Sequence, residues 1–163
     1  MLKKLLRRIQ TSFFISYKMR PLLLRGGGYR VSSSAHIKSG CHFEGDHIQI
    51  GNNVFINHDC RFYSYKNKEN SLILLGDNVT IAMGATFCTH THESGDNIRR
   101  AGKTVAYPIV VGEGSWIGAN VTILPGVHIG KGCIIAAGSV VTKDCKNNGM
   151  YAGVPATLKK FLE

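Results

Sequence analysis

Aliphatic residues recur every six positions along the second half of the chain: Val111, Ile117, Ile123, Ile129, Ile135 and Val141. All six are β-branched, and four are followed by a small residue: Gly112, Gly118, Gly130 and Ala136. The fifth position of each hexad is small or apolar as well (Ser115, Val121, Val127, Cys133, Ser139, Cys145). The same register runs earlier as Ile50-Gly51 and Ile56, then Leu75-Gly76, Ile81-Ala82 and Phe87, with Val31 and Ile37 as a weaker first pair. A period of six is not helical, but it is a multiple of the strand period of two. Each hexad therefore reads as a short strand and a tight turn, with one aliphatic side chain pointing inward. β-Branched residues suit strands, and the small residue beside each reads as the point where the chain turns its corner. Three hexads close a triangular coil, and coils stack with their backbone ladders about 4.8 Å apart. The pattern predicts an all-β parallel β-helix over residues 31–157, which needs caps at its ends.

The repeat breaks between Phe87 and Val111. The stretch 88–108, from Cys88-Thr89-His90-Thr91-His92-Glu93 to Tyr107-Pro108, is polar and contains glycine. It reads as a long loop excursion that begins with two histidines, and long loops on a rigid scaffold commonly carry function. A shorter polar segment, 62–75, with Tyr63, Tyr65 and Lys66-Asn67-Lys68-Glu69-Asn70-Ser71, reads as an acceptor-side loop or a surface bulge. Residues 158–163 read as a C-terminal tail. Ahead of the repeat, Leu2, Leu5, Leu6, Ile9, Phe13 and Tyr17 fall at helical spacing, with Lys3, Lys4, Arg7 and Arg8 on the other side. This predicts a short basic amphipathic helix within an N-terminal segment 1–30. Three roles fit it: a cap on the open end of the solenoid, packing on a neighbour, or peripheral contact of residues 1–20 with an anionic membrane surface.

Composition narrows the class. The chain has 163 residues, 44% hydrophobic and 18% charged, enough for one ordered domain and too apolar for a disordered one. No apolar run is long enough to span a bilayer. The net charge of +10 is concentrated: residues 1–30 hold eight basic and no acidic residues, leaving 12 basic against 10 acidic in 31–163. A nucleic-acid partner is not expected from that distribution. Five cysteines, an odd number without a C-x-x-C pair, argue against a disulfide framework or a zinc ribbon. Lysines and arginines interrupt the N-terminal apolar residues, so no signal-peptide core is read there. The expected location is cytoplasmic, at the inner face of the membrane if the helix docks on one.

The hexads resemble those of the hexapeptide-repeat acyltransferases over roughly residues 31–157, and that resemblance implies a left-handed helix. The segments Asn53-Val-Phe-Ile-Asn57-His-Asp-Cys60, Thr91-His92, Tyr107-Pro-Ile109, Gly114-Ser-Trp116-Ile-Gly-Ala119 and Tyr151-Ala-Gly-Val-Pro-Ala156 are similar to the maltose/galactoside O-acetyltransferase branch and related polysaccharide O-acetyltransferases. The resemblance implies an acetyl-CoA-dependent O-acetyltransferase acting on a hydroxyl of a sugar or glycan, such as a cell-surface polysaccharide precursor. It also implies a homotrimer and no metal. In that branch a Thr-His or Gly-His pair stands 16 residues before a proline, as His92 does before Pro108. His92 takes the general-base position, and His90 is the other candidate. Imidazole titrates near neutrality, so it suits taking a hydroxyl proton and returning one to a thiolate.

The family's oxyanion donor, a backbone amide, falls near Ala119. Asn57 matches the acceptor-site asparagine, the alternative being a structural asparagine in a left-handed corner. His58 stands where the family has phenylalanine. Trp116 matches a donor contact, the alternative being a core or interface aromatic. Ala119, Ala137, Thr142 and Lys143 match further contacts to acetyl-CoA. Lys143, Lys159 and Lys160 are placed near its 3′-phosphate, or are ordinary surface lysines. Two other functions stand beside this one. A zinc carbonic-anhydrase-like enzyme would use His90 and His92 with His58 or His128 as a third ligand across a subunit interface, although that family's H-x-x-x-x-H spacing is missing. The other is a non-catalytic β-solenoid scaffold.

Overall fold

In the computed structural model, which describes residues 1–66 and 69–163, the inward aliphatics sort the strands into three parallel sheets, the sides of a prism. Asn67 and Lys68 of the 62–75 segment lie outside the described residues. The first sheet contains Arg30–Val31, Ile48–Ile50, Ile73–Leu75, Ile109–Val111 and His128–Ile129. The second contains His36–Ile37, Phe55–Ile56, Thr80–Ile81, Trp116–Ile117, Ile134–Ile135 and Gly149–Gly153. The third contains His42–Glu44, Arg61–Tyr63, Thr86–Cys88, Thr122–Ile123 and Val140–Val141. Register follows the six-residue pattern. Ile50, Leu75, Val111 and Ile129 pair in turn, as do Ile56, Ile81, Ile117 and Ile135, and Phe62, Phe87, Ile123 and Val141. All of these side chains are buried. Phe43, Phe62 and Phe87 stack ring on ring at 4.8 Å, one coil apart.

The corners turn at a different residue from the one the small-residue pattern suggests. The left-handed backbone sits three positions after the inward side chain, at Asn53, Asp59, Asn78, Asn120 and Asn148 and at Gly40, Gly84, Gly114, Gly126, Gly132 and Gly138. Asparagine, aspartate and glycine tolerate that conformation. The glycine directly after the inward residue serves contact between coils. A Cβ on Gly112 would lie 2.6 Å from the Gly130 carbonyl carbon, and one on Gly118 2.5 Å from the Ala137 nitrogen.

The N-terminal helix is shorter than its apolar spacing predicts. Helix α1 (Leu2–Ile9) ends before Phe13, the chain turns, and α2 (Arg20–Gly26) runs onto the solenoid. Thr11, Ser12 and Ser16 bond the local backbone, which favours a turn over a continued helix. The basic residues divide between two uses. Arg20, 3% exposed, donates to the carbonyls of Gln10, Ser12 and Ile37. Arg7 donates to the carbonyls of Gly27 and Gly45, pairs with Asp46 and lies over the Tyr29 ring. With Leu24 fully buried, this segment caps the first coil. At the other end, where the sequence suggests a tail over 158–163, Ala156–Phe161 folds back antiparallel on Gly149–Gly153. The large excursion is not an irregular loop: His90–Ser94 and Ala101–Ala106 form an antiparallel ribbon. Residues 44–47, 64–66 with 69–72, and 89–108 all leave the prism at one corner, between the third sheet and the first.

Candidate active site

The ribbon is rooted by a buried hydroxyl. Thr89 Oγ1 donates to the Tyr63 carbonyl and accepts from the Tyr65 N–H, both at 3.2 Å. His90 follows, half-buried, with its ring 5.2 Å from that of Tyr65 and its Nδ1 3.8 Å from Cys88 Sγ. It borders a groove of about 1120 Å³ whose other walls include Lys3, Lys4, Arg8, His42 and Tyr65.

His92 is exposed and sits opposite Thr104 on the neighbouring ribbon strand. Its Nδ1 lies 2.9 Å from the Gly102 carbonyl oxygen. A carbonyl only accepts, so Nδ1 carries the hydrogen and Nε2 of the neutral ring is left with its lone pair outward. That is the tautomer a general base needs. Among the described residues His90 has no such oriented partner, its Nδ1 facing a weakly bonding thiol.

Asn57 lies at the corner between the second and third sheets. The left-handed seat of that corner belongs to Asp59, with φ 61°, so Asn57 is not the left-handed residue of the corner. Asn57 Oδ1 accepts from the His58 N–H at 2.8 Å, and among the described residues its amide nitrogen has no partner. His58 is held by Ser39 Oγ at 3.0 Å and stacks under Phe13, ring centroids 6.1 Å apart. Helical spacing alone carries no sign of this contact, which depends on the turn after α1.

Trp116 lies on the second sheet, 52% exposed, so it is not a core aromatic. Ala119 and Ala137 follow at the same corner as Asn57, in successive coils, linked by the Gly138 N–H to the Ala119 carbonyl at 2.8 Å. Among the described residues the Ala119 N–H has no partner. A Cβ on Gly138 would meet nothing within 4 Å, so the outer face of this corner is open. Thr142 and Lys143, both exposed, stand at the other edge of the third sheet, on the corner from which the ribbon leaves. Lys160 is exposed on the C-terminal strand opposite Met150, with Lys159 beside it.

One chain thus brings Trp116, Ala119, Ala137 and Asn57 to one side, and His90, His92, Thr142 and Lys143 to another. The third sheet separates the two groups by roughly 15–20 Å, the length of a strand of five or six residues. The trio of histidines required by a zinc site does not assemble within the chain. His58 is at the Asn57 corner and His128 is in the first sheet, and among the described residues no group of three His, Cys, Asp or Glu side chains is placed to hold a metal ion.

Comparison with known proteins bears on this arrangement. The family model for bacterial transferase hexapeptide (six repeats) matches residues 108–143. Galactoside O-acetyltransferase of Escherichia coli (strain K12) is 36% identical over 126 residues, 77% of this chain and 60% of that protein. The chain spans about three fifths of the length of the curated relatives it matches. Among solved structures, a hexapeptide-repeat-containing acetyltransferase from Vibrio cholerae is similar at 30% identity and a TM-score of 0.76, over 99% of this chain and 89% of that one. A galactoside acetyltransferase in complex with coenzyme A is similar at 29% identity and a TM-score of 0.84, over 99% of this chain and 79% of that one.

Proposed function

We propose an activity from one premise: the chain belongs to the hexapeptide-repeat acetyltransferases related to galactoside and maltose O-acetyltransferases, proteins of left-handed β-helix fold. The activity is transfer of the acetyl group of acetyl-CoA to a hydroxyl of a sugar or glycan. The observation that carries it is the His92 ring, fixed by the Gly102 carbonyl with Nε2 free, on a ribbon that projects from the solenoid.

In the proposed reaction Nε2 takes the acceptor hydroxyl proton as the oxygen attacks the thioester carbonyl. The new C–O bond gives a tetrahedral oxyanion, which the unpartnered Ala119 N–H is placed to receive. Collapse breaks the C–S bond, and the imidazolium returns its proton to the departing thiolate. The acyl donor lies along the open corner by Trp116, Ala119 and Ala137, with Thr142, Lys143 and Lys160 toward its phosphates. Asn57 offers its amide to the acceptor. At the ribbon, His90 packs on Tyr65 and supports it.

The separation of these groups within a chain supports a homotrimer in which His92 of one copy reaches the Trp116 and Asn57 corner of the next. An isolated two-stranded ribbon is marginal in water, so docking on a neighbour would also stabilise it. A cytoplasmic setting belongs to the same reading, because all five cysteines are free and four are buried, as suits a reducing compartment.

The test is to incubate the protein with acetyl-CoA and a panel of mono- and oligosaccharides, following free thiol and product mass. Thiol release that depends on a sugar and adds one acetyl group to it is expected. If acetyl-CoA neither raises the melting temperature nor releases thiol with any member of the panel, the protein is a scaffold instead.

A further inference from the structure

The large apolar side chains left at the surface are concentrated at the N-terminal end of the solenoid. On α1, Leu2, Leu5 and Ile9 form a stripe turned outward, while Leu6 and Arg7 face Gly26 and Gly27. At the turn that follows, Phe13 is 81% and Phe14 98% exposed, and Leu22 of α2 is 59% exposed. The cap on the core is already complete with Leu24 and Arg20, so this second apolar face, apart from the Phe13 ring on His58, is largely left over from packing within the chain. Exposed cations, Lys3, Lys4, Arg8 and Lys18, are interleaved with it, and no acidic residue occurs before Glu44. No described helix is long and apolar enough to cross a membrane. A short helix with an outward apolar stripe, aromatic tips and a surround of lysine and arginine matches an element that lies in a bilayer interface.

We propose that residues 1–22 dock this protein on the surface of a bilayer that contains anionic lipid. Phe13 and Phe14 enter the interface, and the exposed cations meet the headgroups. Charge complementarity selects this occupant over a second copy, because two such caps would bring like charges face to face. The docking does not depend on the proposed acetyl transfer. It does place the Asn57 and His58 corner, which Phe13 touches, at the membrane face. In a threefold assembly about an axis along the solenoid, all three caps point to the same plane and their binding is multivalent.

The test is flotation of the full chain with vesicles of phosphatidylcholine alone or mixed with phosphatidylglycerol. Binding to the mixed vesicles is expected, with the bound fraction falling by about tenfold or more in high salt or in a Lys3→Glu/Lys4→Glu variant. The Phe13→Ser/Phe14→Ser variant alters only exposed side chains. It is expected to lose binding while keeping the wild-type circular dichroism and hydrodynamic size. Equal flotation of this variant and the wild type would overturn the proposal, as would no flotation of the wild type. So would a smaller hydrodynamic size for the phenylalanine variant, which would show that the face is an interface between copies.

Discussion

At the scale of single residues, the hydrogen bond from His92 Nδ1 to the Gly102 carbonyl separates two histidines that the sequence leaves close together. The spacing to Pro108 pointed to His92, but the tautomer was not legible. Gly102 comes ten residues later and meets the ring only because the excursion folds back as a ribbon. Nor was the role of Asp59, which takes the left-handed seat and releases Asn57 from it. The two histidines should respond differently to truncation. His92→Ala should lower kcat by about 10² or more with acetyl-CoA binding kept, because the donor contacts lie elsewhere. His90→Ala should cost much less, since it removes packing on Tyr65 and no base. Steady-state kinetics beside an acetyl-CoA thermal shift would check both. The reverse ranking would move the base to His90.

At the scale of strands and corners, the hexad period was almost fully legible, because nearly every inward position is a β-branched or aromatic residue stacked on its counterpart in a neighbouring coil. Ile129, fully buried, illustrates the cost of losing one. Ile129→Ala should destabilise the protein by about 2–5 kcal/mol in denaturant unfolding, and a cost near zero would place it outside the core. The end of α1 was not legible from period, because Phe13 and Tyr17 continue the helical spacing while Ser12 and Ser16 compete for the backbone.

The corners also carry a pH dependence. Asp77 accepts from the backbone N–H of Asn52 at 2.7 Å and from its side-chain amide at 3.1 Å, which holds its carboxyl below the usual carboxylate range. A carboxyl depressed in the folded state stabilises the fold above its unfolded-state value, and that contribution is lost as pH falls through the folded value. The melting temperature should therefore drop on acidification through and below the ordinary carboxylate range. Asp77→Asn should flatten that part of the profile, and an unchanged acid limb would mean that this corner is not linked to it.

At the scale of the whole molecule, the prism keeps the two halves of the proposed site on opposite edges of its third sheet, and a ribbon standing clear of its own solenoid is placed to bridge to another copy. Resemblance implied a trimer from the sequence, and the proposed trimer would unite the two halves. The measurement that tests the account most directly is complementation between two inactive chains. A His92→Ala chain and an Asn57→Ala/Trp116→Ala chain would be co-expressed, purified as mixed assemblies, and assayed for acceptor-dependent thiol release from acetyl-CoA. If His92 of one copy acts at the corner of the next, each mixed trimer holds one intact site of its three, and activity returns to about a third of the wild type. If the mixed assemblies are as inactive as either parent, the site is not shared between copies in this way, and the proposed placement of His92 opposite Trp116 and Asn57 is wrong.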